Sequence, residues 1–445
     1  MKKKVAILLC MVTILTLTAC SKVSKEAVEN DTQPTMIPQM DVTEYEDIDT
    51  DITVVPLVNN YANDLSEKMK LREAVDADYI KAVDEFSYQI AALLLKNQQG
   101  NTMLSPISLQ MALALVGTGA EGTTREEIFA AMGLENMDID ELSKQNANLF
   151  QLLCMDNEFG KLQIANSLWL KDSLKFKEDY LTRATVDFYA SSYQVDFSTE
   201  VTAELMSKWV WENTGKLLAP VFTPNKEQIL SVMNTIYFKD EWSTAFDEKA
   251  TAPGTFYLAD GTKIECDFMN KTYDNHIYQK GDGFISTSLY LKNNEMMHFI
   301  LPEEGVTIEE LLSKQDKLAE VINTQEGESA KLVLKIPKFT FGSKFSLIEA
   351  LKTMGITSAF KEDADFHGII EEGAAFISGI EQQTHIGMDE KGVEAAAYTA
   401  IMLAGSAMPK EYPTVEFILD RPFLFVITSE DTVLFMGVVN NPLKP

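Results

Sequence analysis

The apolar residues of this chain change their period once, and no other feature limits its fold so much. Up to about Leu153 the spacing is helical. Val83, Phe86, Ile90, Leu93 and Leu94 share one helical face. Ser105-Pro106 opens a second helix, with proline where a first turn tolerates it, running through Leu109 to Val116. Beyond Leu153 the apolar residues gather in short, partly β-branched runs at 164–170, 229–238, 286–291, 297–301, 332–336, 415–418, 423–427 and 433–438, each bounded by Gly, Pro, Asn or Asp. Helices first and strands dispersed afterwards define an α+β chain, not a doubly wound sheet. With 445 residues, 46% of them hydrophobic, it can build one large core or two or three smaller ones.

The first residues read as an address. Lys2, Lys3 and Lys4 precede an apolar run, Val5 to Leu17, that is too short to span a bilayer, so residues 1–19 are expected to be a secretory signal. The run ends in Leu17-Thr18-Ala19-Cys20, which resembles a bacterial lipoprotein cleavage box. On that reading Cys20 is the lipidation site and the membrane contact, since several acyl chains on one cysteine hold a protein firmly where one would not. Ordinary cleavage near Ala19 is the alternative. The expected location is extracytoplasmic, on a bacterial surface or envelope. Residues 20–70 are polar and acidic, with the run Glu44-Tyr45-Glu46-Asp47-Ile48-Asp49-Thr50-Asp51, and are expected to be a flexible tether. About 50 such residues reach roughly 35–40 Å.

Charge and composition exclude several functions. The net charge is −29, and removing the three signal lysines, with no acidic residue in 1–19, makes it −32. Such a field repels nucleic acid and heparin-like polyanions, so neither is an expected partner. Once Cys10 and Cys20 are set aside, Cys154 and Cys266 either pair or stay as buried thiols. The stretch Gly117-Thr118-Gly119-Ala120-Glu121-Gly122 spells a dinucleotide fingerprint but follows a helical pattern, so a helix C-terminus and loop is the expectation. The four histidines, His276, His298, His367 and His385, show no paired metal-ligand spacing, and there is no GxSxG elbow. No enzyme, no metal and no cofactor is expected.

The informative stretch runs from Asp389 to Pro409. A charged turn, Glu390-Lys391-Gly392, leads into Val393-Glu394-Ala395-Ala396-Ala397-Tyr398-Thr399 and on to Ser406-Ala407, without proline between 393 and 408. Small side chains and a full set of amide donors allow such a segment to sit exposed and still enter the middle of a sheet. As a strand it would place Val393, Ala395, Ala397 and Thr399 on one face and Glu394, Ala396 and Tyr398 on the other. An alanine-rich helix or a plain loop fits the same composition.

The sequence Glu390-Lys391-Gly392-Val393-Glu394-Ala395-Ala396-Ala397 is similar to the proximal hinge of inhibitory serpins. Further serpin-like motifs follow in order: Leu104-Ser105-Pro106-Ile107-Ser108, Asn234-Thr235-Ile236-Tyr237-Phe238-Lys239 with Trp242, and Phe299-Ile300-Leu301-Pro302 with Gly305. Ile336-Pro337-Lys338-Phe339, Asp365-Phe366-His367-Gly368-Ile369, Arg421-Pro422-Phe423-Leu424-Phe425 and Leu434-Phe435-Met436-Gly437 complete them. The resemblance implies a serpin fold over 71–445, one domain of about nine helices and three sheets, and a monomer. It also implies a suicide-substrate inhibitor whose partner is an endopeptidase held in a covalent complex while the cut loop enters the central sheet. A non-inhibitory serpin, acting as a binding or carrier module, is the alternative. The family's spacing puts the reactive bond at Ser406–Ala407, whose small residues suit elastase-like or subtilisin-like proteases. In the shutter, where the family has a histidine bonded to Asn234, Ser105 and Ser108, this chain has Gln382, whose amide can donate and accept. Val393 stands where Thr or Ser is usual.

Overall fold

The computed structural model describes residues 65–96, 98–313, 319, 322, 327–394, 411–430 and 432–444. Cys20, the signal, most of the tether, Ala395, Ala396, Ala397, Tyr398, Thr399, Ser406 and Ala407 lie outside the described residues.

Among the described residues there are nine α-helices: α1 Leu65–Ala74, α2 Ala77–Leu95, α3 Pro106–Thr118, α4 Gly122–Ala131, α5 Ile139–Leu153, α6 Glu178–Val186, α7 Glu200–Asn213, α8 Ile308–Leu312 and α9 Ile348–Thr353. Five of them lie before Cys154, as the apolar period predicts, but four more are interleaved with the strands beyond it, so the helices are not confined to the first part of the chain. In α2, Val83, Phe86, Ile90 and Leu94 are buried, but Leu93 is 40% exposed because it lies past the edge of the apolar stripe. Ser105 caps α3 by accepting from the Ser108 N–H, and Pro106 occupies the first turn. Helix α3 ends at the glycine stretch, and a side chain at Gly119 would lie 2.3 Å from Ile369. The glycines there serve close packing. Helix α1 begins at Leu65, inside the stretch expected to be tether, and Arg72 at its end pairs with Glu430.

The strands form two hydrogen-bonded sheets. The central one orders β11 (Phe339–Ser346), β12 (Glu381–Met388), β13 (Gly392–Val393), β5 (Leu230–Glu241), β3 (Gly160–Lys171) and β2 (Met155–Asp156), with β4 (Ala190–Val195) parallel to β3. The other orders β1 (Thr102–Leu104), β16 (Thr432–Val439), β15 (Phe423–Ser429), β9 (Met296–Pro302), β8 (Phe284–Tyr290), β7 (Lys263–Gly281), β10 (Glu328–Pro337) and β14 (Thr414–Ile418), with β6 (Ala252–Tyr257) on β7. Two of the three expected layers are joined here, because the 19-residue β7 pairs with β6, β10 and β8 in turn.

Every apolar run expected as a strand is one. The core lies between the central sheet and β15–β16, where Phe339, Phe341, Phe423 and Phe425 pack ring against ring, and α2 and α3 close it from below. On the opposite face of the central sheet, Trp209 of α7 packs with Trp169 of β3 and Met233 of β5 in a second apolar cluster. Cys154 and Cys266 are free and buried, and burial pushes their thiols up to about 12 and about 11. Both are therefore unreactive at neutral pH.

Candidate functional site

The site is a discontinuity in the central sheet. Strands β5 and β12 run side by side and parallel, yet they form no ladder with each other. At the top, the two residues of β13 sit between them: Val393 pairs with Met388 of β12 and Asp240 of β5, and Gly392 pairs with Glu241. Below that point the facing edges rejoin at a single parallel bridge, Leu230 to Ile377. A narrow cleft under this gap is lined by Leu109, Val116, Val232, Asn234, Ile380 and Gln382. Buried backbone edges are normally paired, so among the described residues the facing edges of β5 and β12 leave a gap in the sheet below Val393.

The turn that delivers β13 is held from several sides. Asp389 N–H donates to Gly392 O and Asp389 Oδ1 accepts from Lys391 N–H at 2.8 Å, closing a tight hairpin. Trp242, fully buried at the end of β5, donates its ring N–H to Asp389 O at 2.9 Å and its backbone N–H to Lys391 O at 2.8 Å. Glu390 is buried and bonds Lys338 at 2.9 Å and the Thr251 hydroxyl at 2.7 Å. Burial works to raise the Glu390 carboxyl, but Lys338 and Thr251 outweigh it and hold it below the usual range. Only glycine fits at 392, since a Cβ there would stand 2.2 Å from Asp240 O.

Val393 is buried and Glu394 turns to the outer face, the alternation expected of an entering strand. Glu394 then departs from strand geometry. Its φ is +52°, in the left-handed region, while its N–H still donates to Gly387 O at 2.8 Å. Its carboxylate accepts from His385 Nδ1 at 2.8 Å and lies near the Tyr237 phenol, which burial and this carboxylate push up to about 12. The Tyr237 ring lies against Gly215, where φ is +59° and a Cβ would meet the ring at 2.5 Å.

The shutter residues are brought to one place but not into one network. Gln382 accepts from the Ser105 N–H and donates to the Ser105 carbonyl, both at 2.8 Å. Asn234 donates to Asn166 Oδ1 at 2.7 Å instead of reaching Ser105, Ser108 or Gln382. Asn234 Oδ1 and Ser108 Oγ are buried and make no hydrogen bond within the described chain. The expected single network is therefore two halves on either side of the gap. Gln382 is engaged by both main-chain groups of Ser105 and Asn234 donates to Asn166, so neither amide bonds the other.

One feature escaped the sequence reading. Asp240 and Glu295 are a buried carboxyl pair just behind β13. Asp240 accepts from the Glu241 N–H at 2.8 Å and from Asn293 at 3.1 Å, and Glu295 accepts from Ser429 at 3.3 Å. Burial, reinforced by Asp240, pushes Glu295 up to about 8, so the pair shares a proton near neutrality. Two acids 55 positions apart in so acidic a chain give no signal of their own.

A split sheet with the start of a loop seated in it defines the class. A family model described as "Serpin (serine protease inhibitor)" matches residues 81–442, and the chain belongs to that family. Serpin-ZX of Arabidopsis thaliana is 28% identical over 402 residues, 85% of this chain and all of that protein. The thermophilic serpin tengpin in its native state superposes with a TM-score of 0.75 at 26% identity, over 82% of this chain and 95% of that one. Human thyroxine-binding globulin, solved with its hormone, shares the fold at 23% identity and a TM-score of 0.72, over 85% of this chain and all of that one.

Proposed function

We propose that the chain inhibits a serine, or possible cysteine, endopeptidase by offering residues 394–407 as substrate and inserting the cut loop into its own sheet. The observation that carries this is β13, whose two residues pair with both β5 and β12 at the head of a gap where, among the described residues, those two strands form no ladder with each other. The upstream loop supplies what the gap lacks: main-chain donors and acceptors for both edges, small side chains, and no proline. About a dozen residues at roughly 3.3 Å each span about 40 Å, enough to drag a bound protease away from its docking pole. The acyl bond belongs to Ser406, and the serine or cysteine nucleophile to the victim. Incubation with elastase-type and subtilisin-type proteases is expected to give an SDS-stable complex of inhibitor and protease. Cleaved chain alone, with every susceptible protease, would favour the binding-module reading that the likeness to thyroxine-binding globulin raises.

The reading includes the anchor. The box ending at Cys20 and the acidic stretch after it support a lipid-held inhibitor on a bacterial envelope. In a bacterial host, Cys20→Ser should move the protein from the membrane fraction to the soluble one and abolish incorporation of a labelled fatty acid. Equal labelling of both forms would remove the anchor from the proposal.

A further inference from the structure

Strand pairing in β13 ends at Val393, and the residues around Glu394 explain why. Val393 is a strand residue, paired on both sides. The next residue has φ +52°, a conformation that costs a non-glycine residue on the order of 1 kcal/mol unless its surroundings impose it. Here they do so through two side chains from opposite walls of the gap. His385 comes from β12 and bonds the carboxylate at 2.8 Å, while Tyr237 comes from β5 and sets its phenol close enough for that carboxylate to raise it. Glu394 is thus a clasp across the gap, with only 10% of its side chain exposed.

Register shows what insertion must break. Val393 faces Asp240 and Met388, so in a continuing antiparallel strand the residue three places on, Ala396, arrives between Tyr237 and His385. Glu394 would then face Lys239 and Gly387 with a negative φ. Insertion in this register therefore requires Glu394 to leave the left-handed conformation in which His385 holds it. We infer that His385 and Tyr237 are positioning residues which hold Glu394 in the left-handed conformation and set how far the loop enters before it is cut. The inference rests on the insertion reading above and adds the group that governs its rate.

The test is the rate at which uncut protein loses inhibitory activity and converts to a heat-resistant form at a fixed elevated temperature. His385→Ala and Glu394→Ala are each expected to speed this about tenfold, the scale of one hydrogen bond to a charged group. The double variant should be no faster than either single one, because both remove the same clasp. His385→Gln, which keeps a donor, should restore most of the delay. A merely structural role would lower the unfolding temperature without speeding conversion to the heat-resistant form. Cleaved wild-type protein is the reference. If cleavage brings no gain in heat resistance, insertion itself fails and the clasp with it. If cleavage brings the gain but both alanine variants convert at the wild-type rate, the insertion reading stands and the clasp is overturned.

Discussion

Ala395→Pro should turn the inhibitor into a substrate: the loop is still cut, but the SDS-stable complex disappears. Val393 already pairs with both β5 and β12, so the register beyond it is set, and residue 395 would face Phe238 and Ile386 in the middle of the sheet. Proline there has no N–H for the ladder, and its ring clashes with a neighbouring strand. Insertion is a race against hydrolysis of the acyl-enzyme, and a stalled strand loses it. Measuring the proportion of complex to cleaved chain checks this. Undiminished complex formation would contradict strand insertion.

The second large effect is on stability and its dependence on pH. Glu295 titrates near 8 in the folded protein, against about 4.3 in an unfolded chain. Between those values the unfolded chain has released a proton that the folded one keeps. Stability from this group is therefore fully present below about pH 4 and is lost as pH rises towards 8, after which the loss is constant. Glu295→Gln keeps the shape, removes the shared proton and places an amide donor beside Asp240. It is expected to stabilise the fold markedly at pH 8–9 and by almost nothing at pH 4. Denaturant unfolding at the two pH values measures the difference. An equal effect at both would mean that the carboxyl pair does not carry the titration.

How far the sequence reached depended on whether a segment's polarity followed its burial. The eight apolar runs are strands because their side chains report the core directly. Strand β12 was missed, although it borders the gap and contains Gln382. Its sequence, Glu381-Gln382-Gln383-Thr384-His385-Ile386-Gly387-Met388, looks like a loop because its inward positions are polar. Gln382 holds Ser105 and Thr384 donates to Met103 O, so side chains that ought to be apolar are bonded to backbone instead. The residues that prepare the sheet to open are the ones that hid the strand. Helix α1 was hidden for a simpler reason, since Leu65–Ala74 is mostly charged and offers few apolar positions. The tight approach at Gly392 was readable because it is a matter of residue type, while the alanines after it lie outside the described residues. The clasp was not, because His385, Tyr237 and Glu394 meet only through one backbone angle.

The glutamine in the shutter has an environmental consequence. An imidazole at the sheet's opening point would change charge between mild acid and neutrality, and the ease of opening would follow the surroundings. The Gln382 amide has no proton to gain or lose over that range, and both of its bonds go to main-chain atoms whose character is equally constant. The Gln382 contact therefore contributes the same hold on the sheet in an acidified medium as in a neutral one, and any dependence of opening on acidity falls to the His385–Glu394 pair higher in the gap.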